Sequence, residues 1–299
     1  MRNFFRTLWR IISAPFRFIY WIFKRIFIWI RNVFKDIGNL FVAEPEDKPI
    51  TDTVGLALDE PKEFWWALVE HLDALRKHLF RALIFIILTT AASAVFVREL
   101  LAWISEPVGG IESLQAIEVT EPRGVVMRVA LLSGFALALP YIIFELFLFI
   151  APGLKARARI LGLLSIPVGF LFFVGGMAFA YFVMMPTALP FLLNFMDIPT
   201  AVRPASYIKF VTGLMFWIGI AFEFPLVIFA MAGMGIVRAQ NLAKQWRFAV
   251  VIIAVLSAAI TPTIDPINMG LVMGPMILLY FLSIGLAFIA QGRRERELE

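Results

Sequence analysis

The chain has 299 residues, of which 61% are hydrophobic and 16% charged, and its mean hydropathy is +0.86. A soluble domain is about 45–50% apolar and about 25% charged, so the composition excludes an ordinary soluble protein and indicates several membrane spans. The lack of cysteine excludes disulfides and thiolate chemistry. The net charge of +5 is informative mainly through its distribution along the chain. Because only helices and closed barrels satisfy their backbone in lipid, long apolar runs without strand-like alternation predict an all-α polytopic membrane protein.

The first 40 residues combine regularly spaced cations with aromatic and aliphatic residues. At about 100° per residue, the cations fall on one side of a helix, and Arg25 alone departs from that side. The opposite side carries apolar residues such as Ile22 and Trp29. This pattern is typical of an amphipathic helix lying on the membrane surface, where it would bind anionic lipid. A seventh span over residues 18–30 is the alternative, at the cost of burying Lys24 and Arg25.

Residues 41–64 are acidic and contain prolines, which predicts a flexible cytoplasmic linker. A six-span domain is predicted over residues 65–290, followed by a cytoplasmic tail of both charge signs over residues 291–299. The fifth span supplies only about 14 residues against the about 20 that cross a bilayer, so it requires a thinner membrane or longer neighbours. The six predicted spans are Leu79–Val97, Gly124–Ile150, Ile160–Met185, Ile208–Ile236, Arg247–Ile260 and Ile267–Ala290.

The connections between the predicted spans alternate in charge. The 98–123 connection is rich in glutamate, whereas the 151–159 connection, the 237–247 connection and the tail are rich in lysine and arginine. Basic connections remain in the cytoplasm. The sequence therefore predicts that both termini are cytoplasmic.

Glu223 lies in the middle of the fourth predicted span, in GIAFEFPLV. An ionisable residue within a span usually faces the bundle interior or a wet cavity and marks a functional site. Pro225 frees a backbone carbonyl nearby, and Gly219, one turn earlier, is expected to leave space beside the acid. A packing hydrogen bond or a protonated carboxyl without further function is the alternative.

Glu145 lies near the predicted cytoplasmic end of the second span, either as a functional acid or as a side chain that reaches the interface. His71 and His78 are seven residues apart and share a helix face, but without carboxylates at matching spacing they do not predict a metal site. Motifs of catalysis or phosphate binding do not occur in the sequence. The sequence therefore predicts neither an enzyme nor a bound cofactor.

Five motifs occur in the order typical of one membrane-protein family. EHLDALRKHLFRAL (70–83) is similar to an HL-x-E-LRKRL segment before a first span, and FIAPGL (149–154) to an F-x-x-P-G/A-L turn after a second. The other three motifs are GMAFAYFVMMP (176–186), SYIKFVTGLMFWIGIAFEFPLV (206–227) and ITPTIDPINM (260–269). Together they resemble the TatC family, the multispanning receptor subunit of the twin-arginine protein translocase, over residues 66–290. The resemblance implies a cupped arrangement of six spans.

The resemblance implies a receptor for proteins exported already folded across a prokaryotic plasma membrane, with twin-arginine signal peptides and the proton gradient as the driving force. It implies recognition of the arginines by two cytoplasmic acids, but Ala74 and Ala158 occupy those positions here. We expect that Glu70 or Asp73, together with Glu145, supplies the displaced negative charge, because carboxylates pair bidentately with guanidinium groups. The implied signal-peptide site comprises Glu70, Asp73, Arg76, Glu145, Phe149 and Pro152.

The resemblance also implies that Glu223 contacts single-span partner subunits of the TatA and TatB type in a larger oligomer. Asp265 and Pro107 match outer-face positions of the family, where they would shape the surface. Because the two acids are missing, an alternative is that the chain is a TatC-like scaffold in which signal-peptide recognition is altered or lost. A proton-coupled small-solute transporter that uses Glu223 is a further alternative, but it predicts internal repeats, and none is evident in the sequence.

Overall fold

The computed structural model describes Arg31 and residues 61–153, 156–193, 201–261 and 266–295. Several predicted features lie outside the described residues. They are the surface helix at residues 1–40 except for Arg31, most of the linker, Asp265 and the last four residues. Within the described part the chain is helical, which confirms the all-α prediction. The α-helices are α1 Pro61–Ser93, α2 Val97–Ser105, α3 Glu121–Ile150, α4 Ala156–Phe179, α5 Met185–Leu193, α6 Pro204–Met234, α7 Ala239–Lys244, α8 Trp246–Ile260 and α9 Pro266–Glu295.

Five continuous helical stretches are long and apolar enough to cross a membrane: Val69–Val108, Glu121–Ile150, Gly162–Pro190, Pro204–Met234 and Met269–Gly292. These stretches contain the first, second, third, fourth and sixth predicted spans, in whole or in large part. The fifth predicted span is the shorter apolar helix α8, which has 15 residues. At 1.5 Å per residue it is about 22 Å long, against a hydrocarbon core of about 30 Å.

The first span is longer than the prediction of Leu79–Val97. A short 3₁₀ turn at Ala94–Phe96 joins α1 to α2, so helix continues to Ser105 and takes in part of the predicted acidic connection. The charges do not end the helix, because Arg98 and Glu99 are exposed while Val97 and Ile104, seven residues apart, are buried on one face.

Two other helices also extend past the predicted boundaries. Helix α1 begins at Pro61, within the predicted linker, and proline is favoured in the first turn of a helix. Helix α9 continues to Glu295, past the predicted span end at Ala290.

Helix α3 is central to the packing, because it contacts α1, α4 and α6, while α6 also packs against α4 and α9. The largest buried cluster lies between α3 and α6 and includes Val129, Ile208 and Ile218. Many large apolar side chains on the outside of the bundle, such as Phe80 and Phe248, are exposed. Such an outer surface suits a lipid environment.

Glycines let the central helices approach closely. A Cβ at Gly176 of α4 would lie 2.8 Å from the Cα of Gly219 in α6, and one at Gly134 of α3 would lie 2.5 Å from the Cα of Thr90 in α1. Small residues at such crossings are the usual basis of helix packing in membranes. At the second crossing the Thr89 hydroxyl of α1 also donates a hydrogen bond to the Gly134 carbonyl, at 2.8 Å.

The third span contains a π-helical turn at Ala180–Met184, between α4 and α5. The Met185 amide donates to the Ala180 carbonyl, five residues back instead of four. Pro186 follows at once and has no amide hydrogen to continue the ordinary pattern. The turn directs the Tyr181 hydroxyl to the Trp103 carbonyl in α2, at 2.7 Å.

Candidate functional site

Glu145 is buried where α3 packs against α1, with 1% of its surface exposed. His78 Nδ1 of α1 lies 2.6 Å from its Oε2. The Tyr141 hydroxyl, one turn earlier in α3, donates a hydrogen bond to its Oε1, and Arg81 Nη1 lies 3.9 Å from Oε2. Both carboxylate oxygens therefore have partners, as a buried acceptor requires. We call Glu145, His78, Tyr141 and Arg81 the Glu145 cluster.

Phe149, one turn beyond Glu145, contacts both histidines of the chain. Its ring centroid lies 4.4 Å from that of His71 and 6.2 Å from that of His78. The spacing of seven residues places both histidines on the face of α1 that meets α3. The structure thus brings the predicted site residues Glu145 and Phe149 together at one end of the α1–α3 contact.

The other predicted site residues of α1 lie at the rim of this contact. Glu70 is exposed, and Asp73 pairs within its own helix, with Lys77 Nζ at 2.8 Å and Arg76 Nη1 at 3.7 Å. Ala74 is half-buried, and Pro152, in the 3₁₀ turn after α3, is exposed. Acidic charge therefore lies towards the surface of α1, about one to two turns along that helix from His78, the partner of Glu145.

Arg159 in α4 is buried, with 3% of its surface exposed. Its Nε donates a hydrogen bond to the carbonyl of Ala151, at 3.1 Å, just past the end of α3. Cations at this end of a helix are favourable, because the last carbonyls lack helical partners. Next to Ala158, where the resemblance implies an acid, the chain therefore buries a cation that caps α3.

Sequence reasoning singled out Glu145 but missed Tyr141, His78 and Arg81 as its partners. The spacing of four residues between Tyr141 and Glu145 was a usable signal, since such pairs meet on a helix. His78 also stands where the family motif has arginine. The contacts across 67 residues between His78 and Glu145 depend on the alignment of α1 with α3, which the sequence does not show.

Glu223 lies in α6 facing α4. A Cβ at Gly169 of α4 would lie 3.1 Å from its Oε2, whereas one at Gly219 would meet the ring of Phe173 at 2.7 Å. The expectation that Gly219 leaves space beside the acid is therefore wrong, because Phe173 fills that space and Gly169 is the glycine beside Glu223. The Oε1 atom of Glu223 is buried and has no hydrogen-bond partner among the described residues.

Polar contacts at the other end of the bundle tie the 106–120 connection to the start of α6. Arg203 binds the carboxylates of Glu121 and Glu118, the latter at 3.2 Å. These contacts, chiefly the hydrogen bond that Arg203 donates to Glu121, raise the pKa of the Arg203 guanidinium above its ordinary value. Pro107 is exposed beside Gly109, which has a φ of 94°. Pro107 therefore lies on the surface at this end, whereas Asp265 lies outside the described residues.

Within the part of the chain that the structure describes, no group of three or more histidine, aspartate and glutamate side chains could hold a metal ion. The chemistry that the described sites offer is therefore ion pairing and hydrogen bonding by carboxylates, imidazoles and guanidinium groups.

Comparisons with known proteins match most of the chain to one family. Residues 70–275 match the family model described as Sec-independent protein translocase protein (TatC). A Sec-independent protein translocase protein TatC of Synechocystis sp. is 34% identical over 232 residues, which are 76% of this chain and 91% of that protein. One of Carboxydothermus hydrogenoformans is 33% identical over 255 residues, which are 84% and 97% of the two chains.

The fold also matches a solved structure, the crystal structure of a twin-arginine translocase receptor, TatC. The TM-score is 0.66 and the identity 29%, and the match covers 74% of this chain and 99% of the crystallised one. These matches do not favour the solute-transporter alternative. The ordered motifs, the helical architecture and the sequence identities agree, and the chain belongs to the TatC family of Sec-independent protein translocase proteins.

Proposed function

We propose that this chain is the signal-peptide receptor and core subunit of a Sec-independent translocase that exports folded proteins carrying twin-arginine signal peptides. The observation that carries the proposal is the structural match to a twin-arginine translocase receptor, which covers 99% of the length of that receptor's chain. The protein resides in a prokaryotic plasma membrane with both termini in the cytoplasm, and the proton gradient drives export. Its role is recognition and transport and not catalysis.

The signal-peptide site lies at the α1–α3 contact, at the end that holds Glu145 and Phe149. Glu145 supplies negative charge in place of the acids absent at Ala74 and Ala158, while Glu70 or Asp73 contributes from the rim. The burial of Glu145 supports this assignment, because a charge pair formed away from water is stronger than one at the surface. Three further residues complete the surface that the peptide contacts: Arg76 and Pro152, which are exposed, and Phe149, which is half-buried.

Partner contacts occupy other parts of the molecule. Glu223 forms a hydrogen bond with a polar residue of a single-span subunit of the TatA or TatB type, in an oligomer with further copies of this chain. The unpartnered Oε1 of Glu223 supports this role. Residues 1–40 bind anionic lipid, and Pro107 and Asp265 shape the outer surface.

The test is binding of a fluorescent synthetic peptide to the purified full chain in nanodiscs. The peptide carries an arginine pair before an apolar stretch, and its matched control carries a lysine pair. We expect preferential binding of the arginine peptide, which drops about tenfold or more when Glu70, Asp73 and Glu145 are replaced together by their amides, because each charged hydrogen bond contributes about 1.5–3 kcal/mol.

The control variant replaces Glu99 and Glu112, which are exposed and lie in the predicted outer connection, by glutamine. Equal binding of the two peptides would reject the receptor and favour the scaffold alternative. Undiminished arginine preference in the triple variant would keep the receptor but reject this assignment of acids.

A further inference from the structure

The chain has two histidines, and both lie at the proposed signal-peptide site. His78 pairs directly with Glu145, whereas His71 contacts Phe149. Histidine is the side chain whose charge ordinarily changes between pH 5 and 8. The acid of the site therefore has a titratable partner from its own chain.

His78 also covers the route by which a ligand would reach Glu145. The Oε1 oxygen is bound by Tyr141, which is buried within α3 among Phe144 and Leu148. The Oε2 oxygen faces His78, whose side chain is 19% exposed, and Arg81, which is 46% exposed. A guanidinium group arriving from the surface therefore comes within hydrogen-bond distance of Oε2 by taking the place of the imidazole.

Arg81 indicates that the position is accessible to a guanidinium group. Its Nη1 already lies 3.9 Å from Oε2 while its side chain remains largely at the surface. At that distance the contact is an ion pair without a direct hydrogen bond. The nearer position, at 2.6 Å, is held by His78 Nδ1.

We propose that His78 is a positioning residue for Glu145. An arginine of the signal peptide displaces its imidazole from the carboxylate, and His78 then loses its extra proton. In the free receptor a protonated His78 neutralises Glu145 and keeps its carboxylate oriented. When the peptide binds, an arginine takes the place at Oε2, and His78 turns aside and releases its extra proton to water. This inference rests on the proposed function, since it requires Glu145 to receive the arginine.

The other charged groups around the pair do not titrate in the same way. Arg81 of α1 remains charged at any accessible pH, and so does Arg159 of α4, which is held by the Ala151 carbonyl. Tyr141 of α3 donates to Glu145 itself, and α4 adds apolar side chains to this region. The other titratable groups of the site within the described residues are His71, beyond Phe149, and the rim carboxylates of Glu70 and Asp73 on α1.

The direction of the pH dependence follows from the proton count. The free receptor holds one proton more than the complex, so raising the pH favours the complex. For one released proton the affinity rises at most about tenfold per pH unit in the range where the imidazole titrates, and it is constant above that range.

The experiment measures peptide affinity of the full chain in nanodiscs from about pH 5.5 to about pH 8, where histidine ordinarily titrates. We expect the wild-type affinity for the arginine peptide to rise at least about threefold across this range. His78→Gln keeps a hydrogen-bond donor for Glu145 but cannot titrate, so its affinity should not change with pH. His78→Arg keeps a permanent cation and should bind more weakly at every pH. His71→Gln is the matched control and should keep the wild-type pH dependence whatever its absolute affinity.

The outcomes distinguish this inference from the proposed function. Two results overturn the inference while the receptor function stands, provided that the arginine peptide is still preferred. One is the same pH dependence of affinity in wild type and His78→Gln, and the other is no pH dependence in wild type. Loss of the pH dependence in His71→Gln also overturns it. Absence of arginine preference at every pH overturns both. If His78→Gln does not fold, His78→Arg alone decides, because a pH dependence that survives without the His78 imidazole contradicts the exchange.

Discussion

Two carboxylates within apolar helices, Glu145 and Glu223, have opposite surroundings. Glu145 has partners for both oxygens from three side chains, whereas Oε1 of Glu223 is buried and has no partner within the part of the chain that the structure describes. A buried polar atom without a hydrogen bond costs about 1–3 kcal/mol. The structure of the single chain therefore carries an unfavourable term at Glu223 that a donor from a partner would remove.

We predict that Glu223→Met stabilises the isolated protein and abolishes association with single-span partner subunits. Methionine is a flexible side chain of similar length and removes the unpaired oxygen, so the thermal unfolding midpoint in detergent should rise. Co-purification with a tagged single-span subunit measures the association.

Glu223→Gln is the matched control, because its amide can still form hydrogen bonds and should retain part of the association. Unchanged co-purification of the methionine variant, or a lower unfolding midpoint, would contradict the assignment of Glu223 as a contact residue.

The sequence was sufficient to find both acids, because a charge inside an apolar run is visible without a structure. It was not sufficient to distinguish them. The difference depends on residues of other helices: His78 and Arg81 of α1 for Glu145, and Gly169 of α4 for Glu223.

At the scale of elements, α4 and α6 cross at Gly176 and Gly219 with their backbones in contact. The three atoms nearest to a Cβ at Gly176 would be the Cα of Gly219, the carbonyl oxygen of Ile218 and a ring carbon of Phe222, all at 2.8–2.9 Å. Because backbone atoms cannot rotate away, the two helices would have to separate to admit a methyl group.

We predict that Gly176→Ala destabilises the protein by about 1–3 kcal/mol, the usual cost of overpacking. Gly175→Ala is the neighbouring control, because its Cβ would meet nothing within 4 Å. Thermal unfolding of the two variants in the same detergent measures the difference. Equal midpoints would show that the two helices do not cross at Gly176.

Helix boundaries illustrate what the sequence predicts at this scale. Apolar runs located the five helical stretches that are long enough to cross a membrane and the shorter helix α8, since lipid requires continuous helix. They did not predict the π-helical turn at Ala180–Met184, because nothing in the composition of AYFVM distinguishes it from ordinary helix. The extension to Ser105 was also missed. Its charged residues lie on the exposed face of the helix, but a simple count of charges along the sequence makes the segment resemble a loop.

At the scale of the whole molecule, orientation in the membrane follows from the charge of the connections. We predict that the 106–120 connection faces outward and that the α7–α8 junction faces the cytoplasm. The chain lacks cysteine, so single cysteines can report each side without background.

Val119→Cys, at a residue 93% exposed, should react with a membrane-impermeant maleimide in intact cells. Lys244→Cys, which is also exposed, should react only after the cells are opened. Labelling of Lys244→Cys in intact cells, or protection of Val119→Cys, would show the opposite orientation. The Glu145 cluster would then face away from the cytoplasm, where a signal peptide could not reach it.

Two tyrosines that bind the end of α2 bear on the order in which the protein is assembled. Carbonyls in the last turn of α2 accept hydrogen bonds from Tyr181, in the third span, and Tyr207, in the fourth, each at 2.7 Å. Since a ribosome delivers the chain from its amino end, the later donor, Tyr207, is synthesised about 100 residues after the end of α2. The contacts that hold α2 against the third and fourth spans can therefore form only once both of those spans have been made.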